Sequence, residues 1–381
     1  MSNVLVGGTV QSSGVVLVDS LIVSDLTGSG INTTISSIAV SGDIVLPASP
    51  VFLALGIPTN SSNSSIQYSS DGSNWSNSSN VFVTAGNGAA WNGAMWVAVG
   101  DDSTPLATIK HSSDGVTWSN SISGGFGRYG TDVVWNGAMW VATGADDTNS
   151  NTIQSSTDGL HWVSTLSGGF GDSGEGVVWT GSRWYAVGVN VLNSTTPSKT
   201  QYSVDGRTWL GGMTGDWVSN NSGSDLGWNG NVLINVGNTV GAGGSIKYST
   251  DGSTLSDCTL SDFTTAANGV AWNGSMWVAV GEDASNAIKY SSDGIIWTDT
   301  NSSSSNVYDV TWDGTKWLAV GIEGSLQTST DGSNWISKQI DTLSTVYCIR
   351  TKNVYKQPPS TFQTTLQRLE SAVASRAGVR L

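Results

Sequence analysis

Carboxylates dominate the groups in this sequence that could do chemistry. The 381 residues carry 29 Asp plus Glu against 15 Lys plus Arg, with only two His and two Cys, for a formal net charge of -14. Two carboxylates at a suitable separation suffice for glycoside hydrolysis, so the abundance of Asp leaves that chemistry formally open. Nucleophilic triads fare worse. His111 stands at a repeat position held elsewhere by Tyr68, Tyr202, Tyr248 and Tyr290 and reads as a packing residue, while His161 precedes Trp162 on an exposed alternate position. Cys258 and Cys348 belong to different repeats and read as free thiols; without a CxxC or HExxH pattern there is no zinc cage. Adjacent acids lack the D-x-D-x-D-G spacing of a calcium loop, and the glycine-rich segments lack a Lys-Ser/Thr ending, so neither cofactor nor metal is expected. An acidic surface repels phosphate backbones, which disfavours a nucleic-acid partner.

The elements that must position these groups follow from a repeat. S-x-D-G-x-x-W, or a close variant, occurs seven times, with its Asp at 71, 114, 158, 205, 251, 293 and 331. Between copies lies W-N-G-x-x-W-V-A-V-G, centred with variations on Trp91, Trp135, Trp179, Trp228, Trp272 and Trp312. The second repeat reads as four short strands, Gly88 to Trp91, Met95 to Gly100, Thr108 to Ser113 and Val116 to Ser119. Four strands in a period of about 40 to 50 residues make a propeller blade. The Asn-Gly and Asp-Gly pairs predict two-residue type I′ turns joining strands one to two and three to four. Trp91 and Trp96 should then share a face, and the 18 Trp are core rather than a stacking platform. The fifth repeat, with Leu255 in the outer Trp position and Val232-Leu233-Ile234 where Met-Trp-Val usually stands, should be the softest. The first repeat starts at a second strand, so Tyr347 to Arg350 is expected to supply its innermost one, giving an all-β, seven-bladed propeller with a C-terminal strand closing the first blade.

These motifs resemble the Asp-box, or bacterial-neuraminidase-repeat, propellers, with the box one residue shorter, as in propellers related to photosystem II stability and assembly factors and in repeat proteins of large DNA viruses. The resemblance covers about residues 49 to 350. It implies that the box is a folding element whose Asp caps the turn and whose Trp packs. It also implies a check against sialidase chemistry, which uses three arginines with a Tyr/Glu pair and an Asp. The propeller holds Arg128, Arg183, Arg207 and Arg350; Arg183 and Arg207 follow tight turns and fall on the turn face, so a three-arginine clamp is not expected, and the Arg-Ile-Pro signature is absent. No enzyme activity is expected.

Binding is expected on the opposite face, where the loops vary. Asp101, Asp102, Asp146, Asp147, Glu282, Asp283 and Glu323 hold corresponding positions in repeats two, three, six and seven and would form an acidic crescent. Gly124-Gly125-Phe126-Gly127-Arg128-Tyr129-Gly130 and the related Gly168 to Gly174 segment would offer free backbone and exposed apolar contacts at Phe126, Tyr129 and Phe170, with Arg128 beside them.

Residues 1–48 contain no aromatic residue, Lys or Arg and read as a thin β arm resembling the shaft repeats of phage and large-virus fibre proteins; the propeller spans 49–357. In 358–381 a short amphipathic helix presents Phe362, Leu366, Leu369 and Val373 as one apolar stripe for oligomerisation or anchoring. No signal-peptide core or membrane-spanning stretch is visible, so the expectation is a soluble intracellular chain or a virion component. The reading is a non-catalytic structural and recognition module, on a virion surface or associated with a capsid, with a protein or glycan partner. The alternatives are a sialidase-like glycan hydrolase or lectin, and an assembly-factor scaffold that binds another protein.

Overall fold

The computed structural model describes residues 52–146, 151–190, 199–217, 222–238, 244–259, 262–284, 286–302 and 304–352, all within the unit Pro50–Leu381. The arm expected over 1–48, and the helix with Phe362, Leu366, Leu369 and Val373, lie outside them. Four-stranded antiparallel units follow one another. The second runs Ala85–Trp91, Trp96–Asp101, Ile109–Ser112, Ser119–Asn120, and its plan recurs through the seventh, Val307–Trp312, Trp317–Gly321, Ser325–Ser329, Ile336–Gln339. The first unit has the order Leu343–Thr351, Phe52–Pro58, Ile66–Ser69, Ser76–Asn77, so the last described strand pairs with the first, from Phe52↔Thr351 to Pro58↔Leu343. Inner strands of successive units lie side by side, and Leu343–Thr351 neighbours both Val307–Trp312 and Ala85–Trp91.

Tight turns of both kinds lie at one end of each unit, but they are not type I′. Trp91 pairs with Trp96 across a four-residue loop in which Gly93 alone takes positive φ, and Asn92 turns its side chain inward to accept the N–H groups of Ala94 and Met95 at 2.9 and 2.7 Å. A short polar side chain that mimics a backbone acceptor makes this Asx turn cheaper than forcing Asn itself to positive φ. The Asp-Gly loop is built likewise. Asp114 Oδ1 accepts from Val116 and Thr117 N–H at 2.8 and 2.9 Å, Ser112 Oγ accepts from Gly115 N–H, and Trp118 Nε1 donates to the Gly115 carbonyl. In the first unit the Asn74 and Ser73 N–H groups hold Asp71 well below the usual carboxylate range. Because this loop consumes residues through Trp118, the outer strand is only Ser119–Asn120, shorter than expected.

Indole packs on indole across each hairpin, and the buried ring clusters with aliphatic side chains of the preceding unit, as Trp140 does with Val97 and Val99. Trp91–Trp96, Trp135–Trp140, Trp179–Trp184, Trp272–Trp277 and Trp312–Trp317 sit with ring centroids 4.9 to 5.3 Å apart. Trp96, Trp140, Trp277 and Trp317 have no exposed surface. Truncating such a ring costs about 3 to 5 kcal/mol, which explains why so large a share of the Trp content is spent here. The fifth unit departs from this: Trp228 faces Leu233, and Leu255 fills the outer position.

Candidate functional site

Each inner strand carries a bulge near the end opposite the tight turns. In the second to seventh units the residue that follows it stands three before the inner Trp, and there the chain alternates: Gly88, Asp132, Gly176, Asp225, Gly269, Asp309. Every Asp uses one oxygen to take the next N–H of its own strand and the other to reach the following unit. Asp132 Oδ2 accepts Val177 N–H at 3.1 Å, Asp225 Oδ2 accepts Val270 N–H at 3.0 Å, and Asp309 Oδ2 accepts Ile349 N–H at 2.8 Å. Glycine alternates because a Cβ on Gly176 would come within 2.9 Å of the Asp225 Cα, and one on Gly88 within 2.6 Å of the Thr131 carbonyl. The alternation stops at Leu343–Thr351, the strand that Asp309 reaches. Cys348 stands there, with the Ala89 backbone as its partner and no fourth carboxylate, and Arg350 follows, its guanidinium paired with Asp309.

Three acids with one Arg make the group electrostatically tense. Burial, reinforced by Asp132 and Asp309, pushes Asp225 up to about 7, and burial also raises Asp132 against the pull of Arg350. Asp132 and Asp225 keep a sliver of water-accessible surface although protein surrounds them. On Arg350, burial works against the charge, but Asp309 leads a set of neighbours that more than offsets it and raises its pKa. Sequence reading missed this cluster; its signal was the Gly/Asp alternation at a fixed offset from the inner Trp.

A second cluster, also at the end opposite the tight turns, joins the third and fourth units. Arg128 pairs with Asp172 at 3.3 Å on the surface and lies 5.2 Å over the Tyr129 ring. Burial pushes the neighbouring Glu175 up to about 7, and burial together with Glu175 raises Tyr129. Asp101 pairs in register with Tyr129, so three expected residues meet here with two that were not singled out, Asp172 and Glu175. Tyr308 and Tyr347, at the bulges of the seventh and first units, pack edge to face at 5.2 Å.

The other expectations for this end need correction. Phe126 and Phe170 are buried, at 0% and 1% exposure, because glycines at 144 and 188 leave room for their rings. The paired glycines are not free backbone. Gly125 and Gly169 are held by Gln154 and Gln201, whose side chains accept the N–H at 3.0 and 2.9 Å and donate to the carbonyl of the same glycine. The acidic crescent is not a row of open carboxylates either. Asp102 is buried against Lys110 at 3.2 Å and Asp283 against Lys289 at 3.5 Å, since a buried acid needs a counter-charge. Asp146 and Glu282 are partly exposed, and Glu323 is exposed beside Lys338 on a polar cavity of about 290 Å³. Asp147 lies outside the described residues.

Tyr129 beside Glu175 is the kind of pair sialidase chemistry would need, but Arg128 is the guanidinium present. Arg183 lines the tight-turn end and Arg350 is committed to Asp309. His161 Nδ1 faces Asp158 at 2.8 Å on the surface, and His111 is lowered by burial. Cys258 and Cys348 are free thiols; burial pushes Cys258 up to about 12 and Cys348 further. Among the described residues no three His, Cys, Asp or Glu are grouped to hold a metal ion, and no helix is long and apolar enough to cross a membrane.

No family model and no curated protein matches the chain. Among solved structures, a chain of the mitotic checkpoint complex aligns with a TM-score of 0.50 at 14% identity, covering 68% of this chain and 81% of the other. The fold is a β-propeller. A computationally designed protein, Ika8, aligns with a TM-score of 0.47 at 14% identity, over 68% of the propeller chain and 76% of its own.

Proposed function

We propose that the chain is a closed ring of seven blades, of the short Asp-box kind, that works without catalysis as a recognition module, holding a protein partner at the end opposite the tight turns. The observation that carries this reading is the exposed Arg128, paired with Asp172 and stacked on Tyr129, at the end where the loops stop repeating. Arg and Tyr are the side chains that most often anchor a protein interface, because each combines a large apolar surface with directed polar groups. The carboxylates of the boxes hold turn N–H groups and three at the inner strands hold the next unit, which leaves Glu175 as the acid to test for catalysis.

Affinity capture with the wild-type chain, an Arg128→Ala/Tyr129→Ala variant and a tight-turn variant such as Arg207→Ala tests the reading. A partner that is lost only with the first variant, and that binds again as a purified protein, is the expected result. Turnover of a fluorogenic glycoside that disappears in Glu175→Gln would replace the reading with a hydrolase. Placement in a virus particle, through the terminal segments, extends the proposal; absence of the chain from purified particles would end that extension.

A further inference from the structure

The tight-turn end carries a cavity of about 580 Å³ between the fourth and fifth units, lined among others by Arg183, Tyr185, Trp228, Leu233 and Gly252. Its origin is visible in the repeat. Where the second, third, fourth, sixth and seventh units place a Trp across from the inner Trp, and the first has Phe52, the fifth has Leu233. Trp228 therefore lacks a ring partner and, alone among the inner-strand tryptophans, has its Nε1 buried without an acceptor among the described residues.

The missing indole is replaced in part from the preceding unit. Tyr185 stands where the second and third units have Val97 and Val141, and its hydroxyl donates to the Gly252 carbonyl at 3.0 Å. In other units the corresponding glycine faces the Trp Nε1, as Gly115 faces Trp96. A phenol ring is smaller than an indole and enters from the side, so space remains open to solvent at the turns. Arg183 borders it, with its guanidinium 4.8 Å over the Tyr202 ring and no ion pair among the described residues. The other charge on the wall, Asp251, turns Oδ1 to the Ser253 and Thr254 N–H groups at 2.8 Å each.

We propose that this cavity is a binding site for a planar bicyclic aromatic group that carries a carboxylate, either a small molecule or a C-terminal tryptophan of a peptide. The ring takes the place left by the absent indole, against Trp228 and Tyr185, and the carboxylate meets Arg183. The size suits one such group, since small-molecule sites run from about 300 to 1,000 Å³ and combine an apolar wall with few polar anchors. Charge-assisted bonds from a guanidinium to a carboxylate supply orientation.

The experiment is isothermal titration of the full chain with indole-3-acetate, with acetyl-Gly-Gly-Trp bearing a free carboxylate, and with tryptamine as the charge control. Saturable binding of the two acids, weakened about tenfold in Arg183→Gln while tryptamine is unaffected, is the expected result. The double variant Tyr185→Val/Leu233→Trp restores the pattern of the neighbouring units and should abolish binding of all three while keeping the β-rich circular dichroism spectrum. Tighter binding of the peptide marks a chain terminus as the source, and equal or tighter binding of indole-3-acetate marks a small molecule. No saturable binding of either acid by the wild type, or undiminished binding by the folded double variant, would overturn the proposal.

Discussion

Asp309 and Ile349, 40 residues apart in sequence, are joined by a hydrogen bond of 2.8 Å in which the carboxylate accepts the backbone N–H of the strand that pairs with Phe52–Pro58. The same oxygen holds the Arg350 guanidinium. One side chain thus ties the last described strand to the unit before it, where an open array would leave an unpaired edge. Asp309→Ala removes both bonds and leaves Arg350 partly buried without its nearest counter-charge. Breaking a buried pair in this way costs about 3 to 5 kcal/mol. Urea unfolding should show the loss, together with faster amide exchange along Leu343–Thr351; an unchanged midpoint would mean that this strand is held by its ladder alone.

Asp225 gives the stability a pH dependence opposite to that of most acidic proteins. Its folded pKa is raised to about 7 by burial and by Asp132 and Asp309, so between the unfolded value and about 7 the native state binds more protons than the unfolded one. Stability from this group is present at low pH and is lost as pH rises through that window. The boxes act oppositely: Asp71 and Asp205, lowered chiefly by turn N–H groups, contribute stability that is lost only as pH falls below the unfolded carboxylate range. The difference between wild type and Asp225→Asn isolates the first effect from that of His111. Relative to the variant, the wild type should lose stability of the order of 1 to 3 kcal/mol between pH 5 and 8. A difference that grows in favour of the wild type over that range would contradict the assignment.

Gly176 is replaceable by nothing larger without moving a neighbour. A Cβ there meets the Asp225 Cα at 2.9 Å and the Ser224 carbonyl at 3.0 Å, both backbone atoms. Gly176→Ala should destabilise by about 1 to 3 kcal/mol, as overpacking does. Gly93→Ala is the comparison: nothing lies within 4 Å of its Cβ, but φ is +102°, so strain there is local to the turn. Thermal unfolding of the two variants, with amide exchange to locate the loosened region, distinguishes inter-unit crowding from turn strain.

Lys110 and Asp102 form a pair whose side chains are both 5% exposed. Lys110→Met strands the carboxylate and should cost about 3 kcal/mol, while adding Asp102→Asn recovers much of it because the uncompensated charge is gone. A double-mutant cycle by chemical denaturation measures the coupling; additive losses would show that packing against Phe82, not charge, is what Lys110 contributes.

Alkylation by iodoacetamide at pH 8 should leave Cys258 and Cys348 unmodified in the native state, since burial keeps both as thiols. Mass spectrometry before and after unfolding checks this, and rapid native labelling of Cys348 would mean that the first unit opens.

Local order was legible in the sequence where a residue acts within its own hairpin. The box Asp, its Ser and its Trp bond residues two or three positions away, so their spacing carried their role. The two Trp of a hairpin sit on one face by strand alternation, and spacing carried that too. Turn type was not legible, because Asn-Gly serves both a two-residue I′ turn and the wider Asx turn found here, and the choice depends on how many residues the flanking ladder leaves unpaired.

What the sequence by itself determined is the repeating four-stranded unit and the aromatic packing between repeats, because both follow from local period and from side chains too large to leave in water. What only the tertiary structure decided is which charges are spent. Asp102 and Asp283 look open in sequence but sit against lysines that come from the next strand, and Phe126 and Phe170 look exposed but fill space left by glycines. Asp132, Asp225 and Asp309 meet Arg350 across alternate units, and Tyr185 compensates for an indole absent from Leu233 in the neighbouring one. The first of these lie within one repeat and the last span one or more, and in all of them the energy depends on distance and burial, neither of which a linear order of residues contains.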